Sequence, residues 1–469
     1  MDRLAAEDML LFVNAAITAT GQREFRQDAL GQRLSLEFLH EYMAVNYRDL
    51  YAAALALDVN DHNAALIALR LLATPGDASA EQRRVEGRLI AARLRALPPQ
   101  RVYRLFRDLR RARVNNRRTR ALIRDWLAAR PDPAFDAVKY RAGVKAALRH
   151  AHLAPAGDEL GPFLFAPAGR AHYATPLLRS WRRAHYEKAA LYELPYTVAE
   201  GFAARHGIDR AKFLERIAPR LTQVERLRLQ GAADREGVRA VAADLATMPL
   251  TRLAGYVLSL PVPERVARRG ELTSALRAAA RRACGPDAGR WGRVVAVLDD
   301  SFSTSGSGQK RRRPLVVALA CHHLLEALAG EYVALWTSGR ADALLAHPHG
   351  VTPLGDRVLD ALEHGPERLV IVSDGWDNAP PGLAAEVLRA WRIRLDPDRR
   401  VSAVHLNPVY DADTYTALRL TPEVPTVGVR RAEDVPALVG FARLAEGTTG
   451  LDELRAHLAD RVARFLEER

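Results

Sequence analysis

Beyond Cys284-Gly285-Pro286 short runs of nearly continuous apolar residues, VVAVLDD, EYVALWTS, LVIVSDG, VSAVHLNP and TVGVR, alternate with the helical stretches RPLVVALACHHLLEAL, DRVLDALEH, GLAAEVLRAWRI and LDELRAHLADRVARFL. A strand that is apolar at successive positions must be buried on both faces, as in a parallel sheet covered by helices. This alternation predicts an α/β doubly wound, Rossmann-like domain over residues 286–469. In such a sheet ligands bind at the carboxyl ends of the strands.

Three of those strand ends and loops carry oxygen ligands. The first apolar run empties into Asp299-x-Ser301-x-Ser303, and alternate residues of extended backbone share a face. Thr352 precedes a helical pattern with Val351, Leu354, Val358 and Leu362 on its apolar side, and Asp374-Gly375 follows the run Leu369 to Val372. One carboxylate and two hydroxyls at regular spacing, joined by a Thr and a second Asp, suit a hard divalent cation such as Mg²⁺. The order resembles the metal-ion-dependent adhesion site (MIDAS) of von Willebrand factor A (vWA) domains. That resemblance implies a weakly held cation with an open position for a carboxylate from a protein partner, and no catalytic residue. A rival reading takes Asp299, Asp300, Asp374 and Asp377 as the two-metal cluster of a nuclease or phosphatase. It ranks lower, because it gives the hydroxyls no role and Asp300 should face away from Asp299.

Other chemistry is not supported. SGSGQK lacks the spacing of a phosphate-binding loop, and no G-x-G-x-x-G follows a strand. No G-x-S-x-G elbow is present. His322 and His323 are adjacent on a predicted helix, where neighbours point to different faces, so a structural role is expected for them. Cys284 and Cys321 are too few for a disulfide scaffold.

With 469 residues the chain is too long for one core. Residues 1–285 read as helical throughout, with breaks at Pro75-Gly76, Pro98-Pro99 and Pro131-Asp132-Pro133, so short turns join helices into a HEAT-like stack without a fixed period. The Pro/Gly-rich stretch over 151–176 predicts a break inside this region. Asp2, Glu7 and Asp8 stand where a signal peptide is basic, and no run is apolar enough to span a bilayer, so a cytoplasmic location is expected, with no membrane partner. A monomer is expected.

The net charge of +13 is uneven. Residues 291–469 carry 21 Lys and Arg against 25 Asp and Glu, leaving a net of +17 on residues 1–290. Residues 101–150 alone carry 15 basic and 4 acidic residues. Arg104, Arg107 and Arg111 recur opposite Val102, Phe106 and Leu109, and Arg117, Arg120 and Arg124, with Arg118 beside them, recur opposite Leu122, Trp126 and Leu127. Lys139, Arg141 and Lys145 follow. Arginine forks match phosphate oxygens, so this succession predicts a track for a nucleic-acid backbone. Lys310 to Arg313 predict a further cationic patch beside the metal loop.

A basic, HEAT-like helical region followed by a vWA domain resembles the Ro autoantigen family, in which a TROVE region precedes the vWA domain. The segment RLFRDLRRARVNNRRTRALIRDWLAARPDPAFDAVKYRAGVKAALRHAHL and the MPLTRLAGYVLSL helix are similar to segments of that family. The resemblance implies a non-enzymatic ribonucleoprotein component, binding small Y-RNA-like or misfolded non-coding RNA through the helical repeats. An alternative is an adaptor for a MoxR-type AAA+ ATPase with no RNA role, in which the basic surface meets an acidic protein.

Overall fold

The computed structural model describes residues 2–167, 172–439 and 451–467. The chain forms two compact units, one of Met1–Asn63 with Leu245–Arg461 and one of Ala64–Asp244 with Val462–Arg469.

The first unit is built on a parallel sheet of β1 (Arg293–Leu298), β2 (Glu331–Trp336), β3 (Arg368–Val372), β4 (Ser402–Asn407) and β5 (Thr426–Gly428) in the order β2-β1-β3-β4-β5. The expected strands and their parallel pairing are therefore present. On one face Val295 and Val297 of β1 and Leu369 and Ile371 of β3 pack with Leu354 and Val358 of the helix Leu354–Glu363 and Leu388 and Trp391 of Leu383–Arg394. The helix Arg313–Leu328, buried along most of its length, packs against β1 as well. Each fully buried Val, Leu or Ile contributes about 1.5–3 kcal/mol, so the sheet is the rigid part of this unit and its strand ends are fixed points.

The compact unit does not follow the sequence division expected at 285/286. Helix Asp2–Thr18 covers the short edge strand β5, where the Asn14 side chain donates to Thr426 O at 3.1 Å and accepts from Gly428 N at 3.0 Å. A Cβ at Gly428 would lie 2.7 Å from Asn14 O, so only glycine permits this approach. The exposed edge of the sheet is thereby paired by a side chain of the first helix. Helices Leu250–Ser259 and Arg269–Cys284 pack on Arg313–Leu328. Helical sequence from before residue 64 and after residue 244 thus completes the core of the α/β unit.

In the second unit short helices follow one another with defined caps. Ser79 and Gln82 form a capping box for Ala80–Ala96, and Asn116 caps Arg117–Ala128 by accepting from Thr119 N. The aromatic rings of Tyr103, Phe106 and Trp126 meet edge to face at 5.1–6.4 Å and lock Pro99–Arg111 to Arg117–Ala128. The Pro/Gly-rich stretch is not a division within this unit: it contains the helix Gly157–Phe165, and Phe163 packs edge to face on Trp181 of Pro176–Arg183 at 4.9 Å. Among the described residues, no helix is long and apolar enough to cross a membrane.

Candidate functional site

Asp299 extends β1 by one ladder bond, donating its N–H to Val372 O at 2.9 Å, and its carboxylate turns into a closed loop. Asp299 Oδ1 accepts from Ser301 N at 2.8 Å and from Thr337 Oγ1 at 3.2 Å, while Oδ2 is buried without a hydrogen-bond partner. The Ser301 and Ser303 hydroxyls lie 3.2 Å apart. Asp374, in the turn after β3, accepts from Trp376 N at 3.1 Å and lies beside Ser303, whose side chain partly offsets the effect of burial on its carboxyl. Gly375 sits at φ +82, the left-handed conformation that this turn needs, with Leu418 O 2.8 Å from where a Cβ would stand.

All five expected ligands are almost completely buried. Asp299, Ser301, Ser303 and Asp374 are brought together directly. Thr352 is joined to them through the main chain: its N–H donates to Asn378 Oδ1 at 2.8 Å, its carbonyl accepts from Asn378 N at 3.3 Å, and Phe302 N reaches Gly350 O at 3.1 Å. Burial, with the Asp374 carboxylate beside it, pushes the Asp299 carboxyl up to about 7, and burial also raises Asp374. Two carboxylates held this close out of water, one with an orphaned oxygen, and two adjoining hydroxyls form a donor set that fits a hard divalent cation.

The remaining acids of the loops are engaged elsewhere. Asp300 accepts from the Ser338 hydroxyl at 2.7 Å and from Ser338 N at 3.0 Å, and its Oδ1 lies 3.0 Å from the same Thr337 hydroxyl that reaches Asp299 Oδ1. Asp377 accepts from Ala384 N at 2.7 Å. These two carboxylates fasten loops.

One element of the site has no signal in the periodicity of the sequence. Residues 23–27, between helices Asp2–Thr18 and Ala29–Asn46, run beside the loop that follows β1. Arg23 N donates to Gln309 Oε1 at 3.0 Å, Ser307 Oγ donates to Arg23 O at 2.6 Å, and Gln27 bridges Asp411 and Ala412 N. Glu24 and Lys310 form a buried ion pair. Phe25 meets Phe302 edge to face, and Arg26 stacks on Trp376. A cavity of about 20 Å³, room for about one water, lies among Glu24, Arg26, Ser303, Asp374 and Tyr410. The expected cationic patch at Lys310–Arg313 is corrected here. Lys310 is spent on Glu24, Arg312 donates to Leu258 O and Arg313 to Arg430 O, leaving Arg311 exposed.

In the second unit the arginines divide into two groups. Arg104, Arg107 and Arg111 are exposed around a single carboxylate, Asp108, at 3.6–3.9 Å. Arg117 and Arg120 are exposed, and Arg124 pairs with its neighbour Asp125 at 2.8 Å. Arg118, by contrast, is turned inward to the buried Glu86 at 3.0 Å. Arg141 donates to Phe163 O at 2.6 Å between the Phe163 and Trp181 rings, and burial lowers its pKa. Lys139 lies over Phe135 and Tyr140, and Lys145 over Phe165. Below the helices an apolar cavity of about 200 Å³ opens between Leu127, Val144, Leu148 and Leu160, with Arg124 and Arg130 in its lining. Sequence patterning gave no sign of it.

No family model and no curated protein matches the chain. Among solved structures, the fold is similar to the crystal structure of the Deinococcus radiodurans Ro (RSR) protein, with a TM-score of 0.55 and 16% identity, covering 94% of this chain and 100% of that one. The architecture of helical repeats with an α/β domain is therefore Ro-like.

Proposed function

We propose that this chain is a non-enzymatic RNA-binding protein of the Ro type that grips small non-coding or misfolded RNA through phosphate contacts. The reading is carried by the row of exposed arginines on two successive helices, Arg104, Arg107, Arg111, Arg117, Arg120 and Arg124, in a chain whose fold is similar to that of a Ro protein. Lys139 and Lys145 extend the row, whereas Arg118 and Arg141 hold the helices in place. An exposed guanidinium keeps its fork available for phosphate oxygens, and each phosphate neutralised releases counterions.

The second part of the reading is a docking site in the α/β unit. Asp299, Ser301, Ser303, Thr352 and Asp374 would hold Mg²⁺, which when bound supplies a positive centre for a carboxylate of a partner protein. The residues of this chain fix the loops, exclude bulk water and leave Asp299 Oδ2 to be satisfied.

The test is binding of single-stranded RNA by the purified full chain across a salt series. Affinity should fall steeply with salt, and Arg107, Arg111, Arg117 and Arg120 changed together to Ala should lower both the affinity and the salt slope. An RNA affinity indifferent to salt and to that quadruple change would remove the assignment.

A further inference from the structure

We propose that His322, His323 and Glu326 form a second metal site, of a different chemical class from the oxygen-lined loop, suited to a borderline transition-metal ion such as Zn²⁺. The pattern of adjacent histidines argues against a shared ion only while the carboxylate one turn further on is ignored. At about 100° per residue, Glu326 falls about 40° from His322 and about 60° from His323 around the helix, between the two rings. One ligand atom from each of the three residues lies within 4.8 Å of the others.

Three features separate this cluster from an ordinary packed histidine pair. His323 is 4% exposed, yet its Nε2 has no hydrogen-bond partner, although an imidazole nitrogen withdrawn from water normally finds one. Its Nδ1 faces Glu326 Oε2 at 3.4 Å. The surrounding groups are also defined: the Tyr332 hydroxyl meets His322 Nδ1 at 3.1 Å, which fixes the ring and leaves Nε2 as its donor, and Arg277 reaches both Glu326 oxygens, at 2.7 Å to Oε1 and 3.4 Å to Oε2, as the competitor an ion would displace. Two imidazoles and one carboxylate are the ligand set of an open zinc-type site, with a further position for water or a partner's side chain.

The location keeps the two sites apart. The helix Arg313–Leu328 leaves the metal loop and returns along β1, and Tyr332 is the second residue of β2, so His322 and Glu326 lie toward the amino ends of the strands. Arg277 comes from the helix Arg269–Cys284 packed alongside. An ion here would be held by residues of helix Arg313–Leu328 alone and would compete with the Arg277 guanidinium for Glu326.

The test is a Co²⁺ titration of the chelator-stripped full chain, followed by the visible ligand-field absorption, with Zn²⁺ as competitor. One equivalent of Co²⁺ should account for the ligand-field band and be displaced by Zn²⁺. His322→Gln and His323→Gln should each weaken its binding by about tenfold or more. Equal Co²⁺ binding by the wild type and both Gln variants, or no ligand-field band in the wild type, overturns the proposal. If the Gln variants lose their near-ultraviolet circular dichroism, Arg277→Gln decides. Freeing Glu326 from its guanidinium should tighten Co²⁺ binding, and unchanged or weaker binding counts against the site.

Discussion

The Arg26 guanidinium lies 4.1 Å over the Trp376 ring, two residues beyond Asp374, and its charge offsets part of the rise that burial imposes on the Asp374 carboxyl. A cation from the first fifty residues of the chain is thereby held next to the proposed Mg²⁺ ligands. It opposes a second positive charge there, and it offers an incoming carboxylate a partner of its own. Arg26→Ala should therefore strengthen divalent binding at Asp299 and Asp374, by roughly tenfold, with a stability loss of about 0.5–1 kcal/mol from the stacking. A Mn²⁺ titration by electron paramagnetic resonance reads the first effect. Identical Mn²⁺ affinities in the two proteins would show that Arg26 does not act on the site.

The Glu24–Lys310 pair that fastens the same segment is buried on both sides, with 4% and 11% of its side chains exposed. Burial raises the Glu24 carboxyl and lowers the Lys310 ammonium more than their mutual attraction restores either. Desolvation wins, so the pair orders the segment without adding net stability. Lys310→Met alone should cost about 3–5 kcal/mol by stranding a carboxylate, and Glu24→Leu with Lys310→Met should recover most of that loss. Urea denaturation of the two single variants and the double variant measures it. A double variant as unstable as the sum of the singles contradicts the argument.

Arg117 and Arg118 are neighbours with opposite environments, which gives the RNA reading an internal control. Arg118 is 18% exposed against a Glu86 that is 3% exposed, whereas Arg117 faces water. Arg118→Ala should lower stability by about 3 kcal/mol and leave the salt slope of RNA binding unchanged. Arg117→Ala should leave stability within about 0.5 kcal/mol and reduce the slope by about one. The reverse pattern would place the phosphate contacts on the wrong face of this helix.

How far the sequence could be read depends on whether the deciding contact is local. The strands β1 and β3 were legible because Val294–Leu298 and Leu369–Val372 are apolar without interruption, and the order Asp299, Ser301, Ser303, Thr352, Asp374 was legible because strand ends are marked by such runs. Arg118 was grouped with the exposed arginines because helical spacing says where a side chain starts, not that a buried Glu86 from another helix waits for it. The covering of β5 by Asn14 spans 414 residues of sequence, and the Lys310 partner Glu24 lies 286 residues away. No periodicity encodes such pairings. His322 and His323, expected to be structural, lie close to Glu326 of the next turn, a carboxylate that their adjacency alone does not bring in.

His405, in β4, supplies a pH test of the sheet itself. Its ring is fully buried, with Nδ1 3.0 Å from the Thr426 hydroxyl and Nε2 2.9 Å from the Ser373 hydroxyl, and burial lowers its pKa to about 4. In the unfolded chain the same ring titrates near 6.5. Between these values the unfolded state binds the extra proton and the native state does not, so stability rises with pH across this window. The contribution is fully present above pH 6.5 and is lost as pH falls toward 4, amounting to about 3 kcal/mol. His405→Gln keeps a hydrogen-bonding side chain and removes the titration. Urea midpoints at several pH values in this window should fall for the wild type as pH is lowered, with a slope steeper than that of the variant by up to about one proton. Parallel slopes for the two proteins would mean that the ring is not held neutral in the fold.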